Sequence, residues 1–389
     1  MRIKLANRID EKGLELFDAS YEYSDDMDKE DAILVRSASL HDYVFPASLL
    51  AIARAGAGVN NIPIEECSEK GIAVFNTPGA NANAVKELTL CSLFLASRDI
   101  KNGILWEDRL EDISDFSKAV EKGKSAFIGP EVTGKKLGVL GLGAIGVLVA
   151  NAAVKLGMDV YGYDPFISVN SAWALSKWVR HVTDLNELLK ECDYITLHMP
   201  ANEETMNLIS SKTIARMKDG VRIINLARGE LVNEEDLIAA LDSGKIARYV
   251  TDFASYRLVH TKNTVCFPHL GASTPESEEN CAIMAVRELK DYLENGNISN
   301  SVNLPSVSEP RMTSHRICII HRNVPNMLAK LTSIIGGSSI NIENLVNKAK
   351  GDLAYTMIDT NSNVDEKALN EVDNIIRVRI IGNWLIHHD

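Results

Sequence analysis

The chain has 389 residues, of which 46% are hydrophobic and 24% charged, and its formal net charge at pH 7 is −12. This length exceeds what one hydrophobic core usually holds, so we expect two or three domains. The negative charge disfavours nucleic acid and acidic membrane surfaces as partners. The most apolar long run, 137–150, is broken by glycines and is shorter than the roughly 20 residues that a membrane-spanning helix needs.

The cysteines are typical of reduced thiols, because none of them forms a CxxC pair that would indicate a zinc site or a disulfide framework. The first ten residues, MRIKLANRID, lack the apolar segment of a secretion signal. We therefore expect a cytoplasmic protein without a metal site.

Short apolar runs alternate with helical stretches along most of the chain. The first hundred residues contain three predicted strands, AILVRS, LLAIARAG and IAVFNTPG. Six more follow from residue 137: LGVLGLG, MDVYGYD, DYITLHMP, VRIINLA, RYVTDF and TVCFPHL. Amphipathic helices are predicted at 184–191 and at 233–243, the second with Asn233 as its N-cap. This alternation predicts an α/β fold with two Rossmann-like, doubly wound parallel sheets.

The C-terminal part has a different organisation. A predicted long helix, 276–294, is expected to return the chain to the first domain. Prolines and serines then interrupt every pattern at 301–314, which indicates a linker. Beyond it, RICIIHR, NVPNMLAKLTSIIG, INIENLVNKA, DLAYTMIDT, 365–372 and IIRVRII predict a small α+β module of order βαββαβ, with Pro325 in the first turn of its first helix.

A glycine-rich turn follows the strand that starts at residue 137 and opens an apolar helix. Gly141 suits a tight turn, Gly143 lets backbone amides approach a pyrophosphate, and Gly146 lets the helix pack closely on the strand. Ala144 and Ile145 lie between the last two glycines and would supply amides at the helix N-terminus. This context predicts a dinucleotide site rather than a glycine turn in an apolar core.

Asp164 ends the next strand, about 20 residues further on, which is the usual distance for a carboxylate that binds the adenine ribose. A carboxylate repels the 2′-phosphate of NADP, so NAD is the favoured cofactor. The alternative is that Asp164 is an ordinary turn residue before Pro165.

Two side chains that follow strands are candidates for chemistry. Arg228 comes just after VRIINLA and His269 just after TVCFP. An arginine can hold a carboxylate through two parallel hydrogen bonds, and a histidine can transfer a proton near neutral pH. Taken alone, each has an ordinary alternative, a surface ion pair for Arg228 and a structural role for His269.

Four segments, VFNTPGANANAVKELTL, LGVLGLGAIG, INLARGELVNEEDL and FPHLGASTPESEEN, resemble successive motifs of the D-isomer-specific 2-hydroxyacid dehydrogenases. The resemblance is to the branch that oxidises D-3-phosphoglycerate to 3-phosphohydroxypyruvate with NAD, the first step of phosphorylated serine biosynthesis. It implies that Arg228 binds the substrate carboxylate and that His269 is the acid–base catalyst.

The same resemblance implies further contacts with the substrate and with NAD. Gly58 and Val59 would form a backbone cradle for the substrate carboxylate, and Arg36, Arg54 and Lys86 would bind its phosphate. A solvated helix position is the alternative for Lys86. The additional residues implied for the NAD site are His198, Met199, Pro200, Ala227, Asp252 and Gly271.

The implied domain boundaries follow from the same motifs. Residues 1–96 and 282–305 would form the substrate-binding domain, and residues 97–281 the NAD-binding Rossmann domain. Residues 306–313 would be the linker, and residues 314–389 a small regulatory module.

One position departs from the family pattern. The family has a glutamate four or five residues after the aspartate that corresponds to Asp252, and this glutamate orients the catalytic histidine. Here the loop reads DFASYRLVHTK and carries Arg257 and Lys262 instead. Three explanations stay open: Glu276 or Glu278 replaces the missing acid, the enzyme works slowly without one, or the chain is a catalytically silent NAD-binding sensor or scaffold.

The C-terminal module resembles an ACT domain, the ligand-sensing unit of many amino-acid biosynthetic enzymes. By this resemblance His321, Asn323 and Asn341 would bind L-serine. Asn326 and Ser339 stand where the family usually has glycine, and their Cβ atoms oppose close ligand approach. The alternative role is pairing of subunits, and either role implies a homo-dimer or homo-tetramer.

Within the same dehydrogenase chemistry, a glyoxylate or hydroxypyruvate reductase is the alternative activity.

Overall fold

Residues 1–110 and 115–382 are described by a computed structural model, and within them the chain forms three β-sheets. The chain divides into two units, Met1–Asn81 with Glu278–Asp389, and Ala82–Ser277. Residues 111–114 of the expected Rossmann domain therefore lie outside the described residues. The same is true of residues 383–389 of the expected regulatory module. No helix of the described part is both long and apolar enough to cross a membrane.

The first sheet is parallel and begins the first unit. Its strands are β1 (Arg2–Leu5), β2 (Glu22–Ser24), β3 (Ala32–Val35), β4 (Ala51–Arg54) and β5 (Ala73–Phe75), in the order β2-β1-β3-β4-β5. Two helices accompany them, α1 (Glu11–Leu14) and α2 (Ile64–Glu69). The three predicted strands are confirmed as β3 to β5. The sequence pattern missed β1 and β2 because RIKL and EYS are too short and polar to show a strand period.

The second unit contains the second sheet and its helices. The strands are β6 (Lys136–Leu140), β7 (Asp159–Tyr163), β8 (Arg180–His181), β9 (Tyr194–Leu197), β10 (Val221–Asn225), β11 (Ile246–Thr251) and β12 (Thr264–Cys266). The helices are α3 (Ala82–Ser97), α4 (Ile100–Glu107), α5 (Phe116–Gly123), α6 (Ala144–Lys155), α7 (Val169–Ala174), α8 (Leu185–Glu191), α9 (Ser211–Ile214), α10 (Glu234–Asp242) and α11 (Tyr256–Val259), with 3₁₀ turns at Lys124–Phe127 and Gly229–Leu231.

The order of the second sheet is β12-β11-β10-β9-β6-β7-β8, and every pair is parallel. Chain order reverses between β6 and β9, and ligands bind at the carboxyl ends of strands beside such a reversal. Apolar residues cover both faces, with Leu137 and Val139 in one core and Ile195 and Ile223 in the other. The doubly wound fold and its six predicted strands are confirmed, and the two-residue edge strand β8 was missed.

The third sheet is antiparallel and belongs to the first unit. After the long helix α12 (Pro275–Asn295) come β13 (His315–Arg322), α13 (Met327–Gly337), β14 (Ile342–Lys350), β15 (Leu353–Thr360), α14 (Glu366–Asn370) and β16 (Ile375–Ile381), with the sheet order β14-β15-β13-β16. The βαββαβ prediction is confirmed. Pro325 is not in α13 as predicted, because Asn326 has a left-handed φ of 70° and the helix begins after it.

The boundaries between units differ from the predicted domain boundaries in three places, one of which is the return to the first unit at Glu278 rather than at residue 282. The whole of α3 belongs to the second unit, since its Val85 and Leu93 pack in that unit's core. The third sheet shares a core with the first sheet and α12, because Cys318 and Tyr355 lie in the same apolar cluster as Ile3. The described part of the module predicted at 314–389, residues 314–382, is therefore packed into the first unit.

Candidate active site

The glycine-rich turn joins β6 to α6, and its three glycines meet three different constraints. Gly141 has a φ of +94°, and a Cβ there would lie 2.6 Å from the carbonyl oxygen of His198. A Cβ on Gly146 would overlap the Gly141 carbonyl oxygen and lie 2.9 Å from its carbon. A Cβ on Gly143 would meet no atom within 4 Å. Gly143 therefore faces an open cradle at the N-terminus of α6, beside the amides of Ala144 and Ile145, where a pyrophosphate fits.

Asp164 follows β7 and stabilises this turn through hydrogen bonds to its carboxylate. One carboxylate oxygen accepts a hydrogen bond from Leu142 N at 2.8 Å, and the other accepts one from Phe166 N at 2.9 Å. Each oxygen keeps a further lone pair, so the carboxylate can also accept from a hydroxyl group. Asp164 therefore makes the hydrogen bonds of a turn residue, which was the alternative role. It also keeps acceptor capacity at the position predicted for ribose binding.

The segment after β9 forms the neighbouring wall of the turn. The ring of His198 contacts the hydroxyl of Thr196 at 2.9 Å through Nε2, and burial lowers the pKa of His198 to about 3. His198 is therefore neutral at physiological pH. Its neighbour Met199 lies beside Gly141, and the carbonyl of Pro200 accepts a hydrogen bond from Thr205 at 2.7 Å.

A buried asparagine shapes the turn that carries Arg228. Asn225 ends β10 with no exposed surface. Its Nδ2 donates to the Arg228 carbonyl at 2.8 Å, and its Oδ1 accepts from Ala227 N at 3.1 Å. The Arg228 side chain is exposed, and its Nη1 donates to the Ala227 carbonyl at 2.6 Å. Sequence reasoning missed Asn225, although an amide at the end of a buried strand could have indicated it.

Asp252 connects the end of β11 with the loop after β12. Only 3% of Asp252 is exposed, and its Oδ2 accepts a hydrogen bond from Gly271 N at 3.0 Å. Its Oδ1 is buried without a hydrogen-bond partner among the described residues. Burial raises the pKa of the Asp252 carboxyl, and the charges of His269 and Arg228 oppose this rise. Asp252 is hydrogen-bonded to Gly271, two residues after His269, and its neighbour Phe253 lies beside Gly229, the residue after Arg228. These contacts bring Arg228, Asp252 and His269 together at the carboxyl edge of the second sheet.

The loop after Asp252 directs its arginine away from this cluster. The Arg257 guanidinium lies 3.8 Å from a carboxylate oxygen of Glu234 and 3.7 Å from one of Glu235, at the acidic start of α10. The ring of His269 instead lies against Phe253, with 4.9 Å between ring centroids. An aromatic ring therefore contacts the histidine on the loop where the family pattern has a glutamate.

Two predicted phosphate ligands, Arg36 and Arg54, and the predicted backbone cradle lie at the carboxyl ends of β3 and β4 in the first unit. Arg36 forms an ion pair with Glu278 at 2.6 Å, so this carboxylate, a candidate for orienting His269, is engaged by Arg36. Arg54 Nε donates to the Arg36 carbonyl at 2.9 Å, and its Nη1 donates to the Gly58 carbonyl. Val59 follows, and its carbonyl accepts from Ile62 N at 3.1 Å. Arg54 thus holds the cradle loop in place.

Lys86 lies in the second unit rather than in the first. It is on α3, where its Nζ donates to Asn83 Oδ1 at 2.6 Å and lies 3.6 Å from Glu87. These contacts are what a solvated helix position would also make.

The C-terminal module contains a cavity of about 220 Å³. Its lining residues are His321, Asn323, Val324, Asn326, Met327, Leu328, Ala329 and Asn347. The Thr356 hydroxyl links His321 Nε2 and Asn347 Oδ1, with 2.8 Å to each. The predicted Asn341 does not line this cavity and donates instead to Glu343 at 2.7 Å. Asn347 was missed because its position on β14 becomes apparent only once that strand pairs with β15.

Known proteins share much of this arrangement. The model of the D-isomer specific 2-hydroxyacid dehydrogenase NAD-binding domain matches residues 107–271. The D-3-phosphoglycerate dehydrogenase of Haemophilus influenzae is 32% identical over 351 residues, which cover 86% of this chain and 81% of that protein. The D-3-phosphoglycerate dehydrogenase of Synechocystis sp. is 35% identical over 339 residues, which cover 84% of this chain and 57% of that protein.

A solved structure is also similar. The NAD⁺-bound 3-phosphoglycerate dehydrogenase of Entamoeba histolytica has a TM-score of 0.61 at 28% identity, over 78% of this chain and 98% of that one. This chain therefore spans little more than half the length of the Synechocystis relative and most of the Haemophilus and Entamoeba proteins.

Proposed function

Because the chain belongs to the D-isomer-specific 2-hydroxyacid dehydrogenases, we propose that it oxidises D-3-phosphoglycerate at C2 to 3-phosphohydroxypyruvate with NAD. The observation that carries the proposal is the convergence of Arg228, Asp252 and His269 at the edge of the sheet that also bears the open cradle over Gly143. Such a reaction is the first step of phosphorylated serine biosynthesis. The cysteines form no CxxC pair, as is typical of reduced thiols, and this supports a cytoplasmic location.

Separate residues of the chain bind the substrate, transfer its proton and hold the cofactor. His269 accepts the proton of the substrate C2 hydroxyl, and Arg228 holds the carboxylate through two parallel hydrogen bonds. Asp252 anchors the His269 loop through Gly271 N, and its second oxygen, buried without a partner among the described residues, would accept a hydrogen bond from the nicotinamide carboxamide. Asp164 and the α6 N-terminus hold the ribose and pyrophosphate. When bound, NAD supplies the hydride acceptor at its nicotinamide ring.

In this proposal the first unit binds the rest of the substrate. The backbone at Gly58 and Val59 cradles the carboxylate, and Arg36 and Arg54 bind the phosphate. Arg36 must exchange the Glu278 carboxylate for the phosphate, which an exposed ion pair of small net stability permits. Lys86 is assigned the same phosphate as a third basic group.

The test follows the absorbance of NADH during reduction of 3-phosphohydroxypyruvate by the purified protein. We expect turnover that falls by at least about two orders of magnitude in His269→Ala, the size of a general acid–base contribution. Glyoxylate and hydroxypyruvate serve as unphosphorylated competitors, and the phosphorylated acid should have the highest kcat/KM. Tight NADH binding without turnover on any of the three acids would refute the dehydrogenase and favour a silent sensor.

We also propose that the C-terminal cavity binds L-serine. Three asparagines and a histidine form half of its lining, beside four apolar residues, and amide and imidazole groups suit the hydroxyl, ammonium and carboxylate of a small polar amino acid. The proposal assigns His321 and Asn323, as implied by the resemblance, together with Asn347. L-serine should inhibit turnover of the wild type but not of Asn347→Leu, with L-alanine as a control ligand that lacks the hydroxyl. Equal effects of serine and alanine would favour the alternative role in pairing subunits.

A homo-dimer or homo-tetramer is the proposed assembly. The edge strand β14 is largely exposed and offers unpaired backbone groups to a second copy. Light scattering during size-exclusion chromatography measures the assembly directly, and a monomer at micromolar concentration would refute it.

A further inference from the structure

The structure assigns a positioning role to Phe253, which we infer holds the imidazole of His269 in its working orientation in place of a carboxylate. This inference rests on the proposed function of His269. It concerns a residue that the family motif does not mark, and it explains how the loop after Asp252 serves catalysis without its acid.

The rings of Phe253 and His269 are in contact. The ring centroids of Phe253 and His269 are 4.9 Å apart with an interplanar angle of 54°. This separation lies within the range of favourable tilted aromatic pairs, which restrict ring orientation. His269 is itself exposed, so without such a contact its side chain would sample several rotamers.

Phe253 is held at its backbone by hydrogen bonds to buried residues. Its backbone N–H donates to Thr251 Oγ1 at 3.0 Å, and the Thr251 hydroxyl donates to the Asn225 carbonyl at 2.8 Å. Thr251 and Asn225 are both fully buried. Because Asn225 also fixes the Arg228 carbonyl, one buried network sets the positions of the Phe253 loop and of the Arg228 turn.

Phe253 also adjoins the turn that carries Arg228. A Cβ on Gly229, the residue after Arg228, would lie 3.5 Å from the Cβ of Phe253. On the other side, Asp252 fixes the loop of His269 through Gly271 N. Phe253 therefore lies between the Arg228 turn and the His269 ring, where it can set their mutual geometry.

The test compares Phe253→Leu, which removes the ring but keeps an apolar side chain, with Phe253→Tyr, which keeps the ring. In the reduction of 3-phosphohydroxypyruvate, Phe253→Leu should lower kcat about tenfold, since small misplacements of catalytic groups cost rate. Its KM and its NADH affinity should stay within about twofold of wild type. Phe253→Tyr should restore kcat.

The same loop supplies a matched control. Tyr256 packs against His260 with 4.4 Å between ring centroids, so Tyr256→Leu removes a comparable ring pair outside the proposed site. It should leave kcat unchanged. Wild-type kcat in Phe253→Leu, or equal losses in Phe253→Leu and Phe253→Tyr, would overturn the inference.

A second measurement does not depend on turnover. Carbethoxylation of individual histidines, followed by mass analysis of peptides, should be several times faster at His269 in Phe253→Leu and unchanged at His260. In Tyr256→Leu the pattern should reverse. Turnover of the wild type and its loss in His269→Ala test the proposed function separately. An inactive wild type, together with faster modification of His269 in Phe253→Leu, would refute the proposed activity but support the contact between Phe253 and His269. Unchanged modification of His269 would refute the contact.

Discussion

Two glycines three residues apart in the cofactor turn should respond oppositely to the same substitution. In Gly146→Ala the new methyl group would overlap the carbonyl oxygen of Gly141 and lie 2.9 Å from its carbon. Because both atoms belong to the backbone, α6 must shift away from β6. Overpacking of this kind costs up to about 3 kcal/mol, and the higher helix propensity of alanine returns about 1 kcal/mol. The expected loss of unfolding free energy is therefore about 2 kcal/mol.

Gly143→Ala is the matched control. No atom lies within 4 Å of a Cβ at Gly143, and its φ of −74° is open to any residue. At this N-cap position the change should cost less than about 1 kcal/mol of stability. The methyl group would instead fill the cradle that faces the pyrophosphate, so NADH affinity should fall at least about tenfold, an estimate based on the need for close backbone approach.

Calorimetric melting without cofactor and fluorescence titration with NADH separate the two effects. Gly146→Ala should melt about 4–8 °C below wild type, as expected for 2 kcal/mol in a domain of this size. Gly143→Ala should melt close to wild type and bind NADH weakly. Wild-type NADH affinity in Gly143→Ala, or a wild-type melting temperature in Gly146→Ala, would refute this reasoning about the turn.

Three further predictions concern charge and stability. Arg316→Met should lower the free energy of unfolding, measured by urea denaturation, by about 3–5 kcal/mol, because it leaves Asp359 buried without the bidentate pair at 2.7 and 2.8 Å. The control is Arg322→Met, which removes an exposed ion pair with Glu69 and should leave the urea midpoint unchanged. Equal midpoints for the two variants would contradict this prediction. Burial raises the pKa of Glu288 from 4.5 to about 7, so the folded state binds this proton more tightly and stability should fall as pH rises through that range, by on the order of 2 kcal/mol. Glu288→Gln should flatten this slope in melting experiments between pH 4.5 and 7, and an unchanged slope would show that Glu288 does not cause it. Arg228→Lys, which loses the planar fork, should raise KM for the hydroxy acid at least about tenfold while NADH affinity stays near wild type; parallel losses of both would indicate that the turn itself had moved.

Local sequence determined much of the cofactor half of the site. The glycine turn, the strand before it and the helix after it are contiguous, and the constraint on Gly146 is set within a few residues. The constraint on Gly141 comes from His198, after β9, which is the neighbour of β6 in the sheet but not in the chain. Strand alternation likewise predicted the parallel sheets, because β-strands buried on both faces read as continuous apolar runs. The βαββαβ order was also predictable from the sequence, down to its last strand, IIRVRII, because short apolar runs alternate there with helical stretches.

Only the tertiary structure decided which distant residues meet. Phe253 and His269, Asn225 and Thr251, Arg36 and Glu278, and Arg257 and the start of α10 are each separated by many residues, and no local period records such pairs. The third sheet became part of the first unit because β13 and β15 are apolar on both faces, with Ile317 and Ile319 packing in one core and Cys318 and Ile320 in the other. Sequence thus determined the chemistry available at the carboxyl edge of the second sheet. Packing decided that a phenylalanine, rather than an acid, stands beside the histidine.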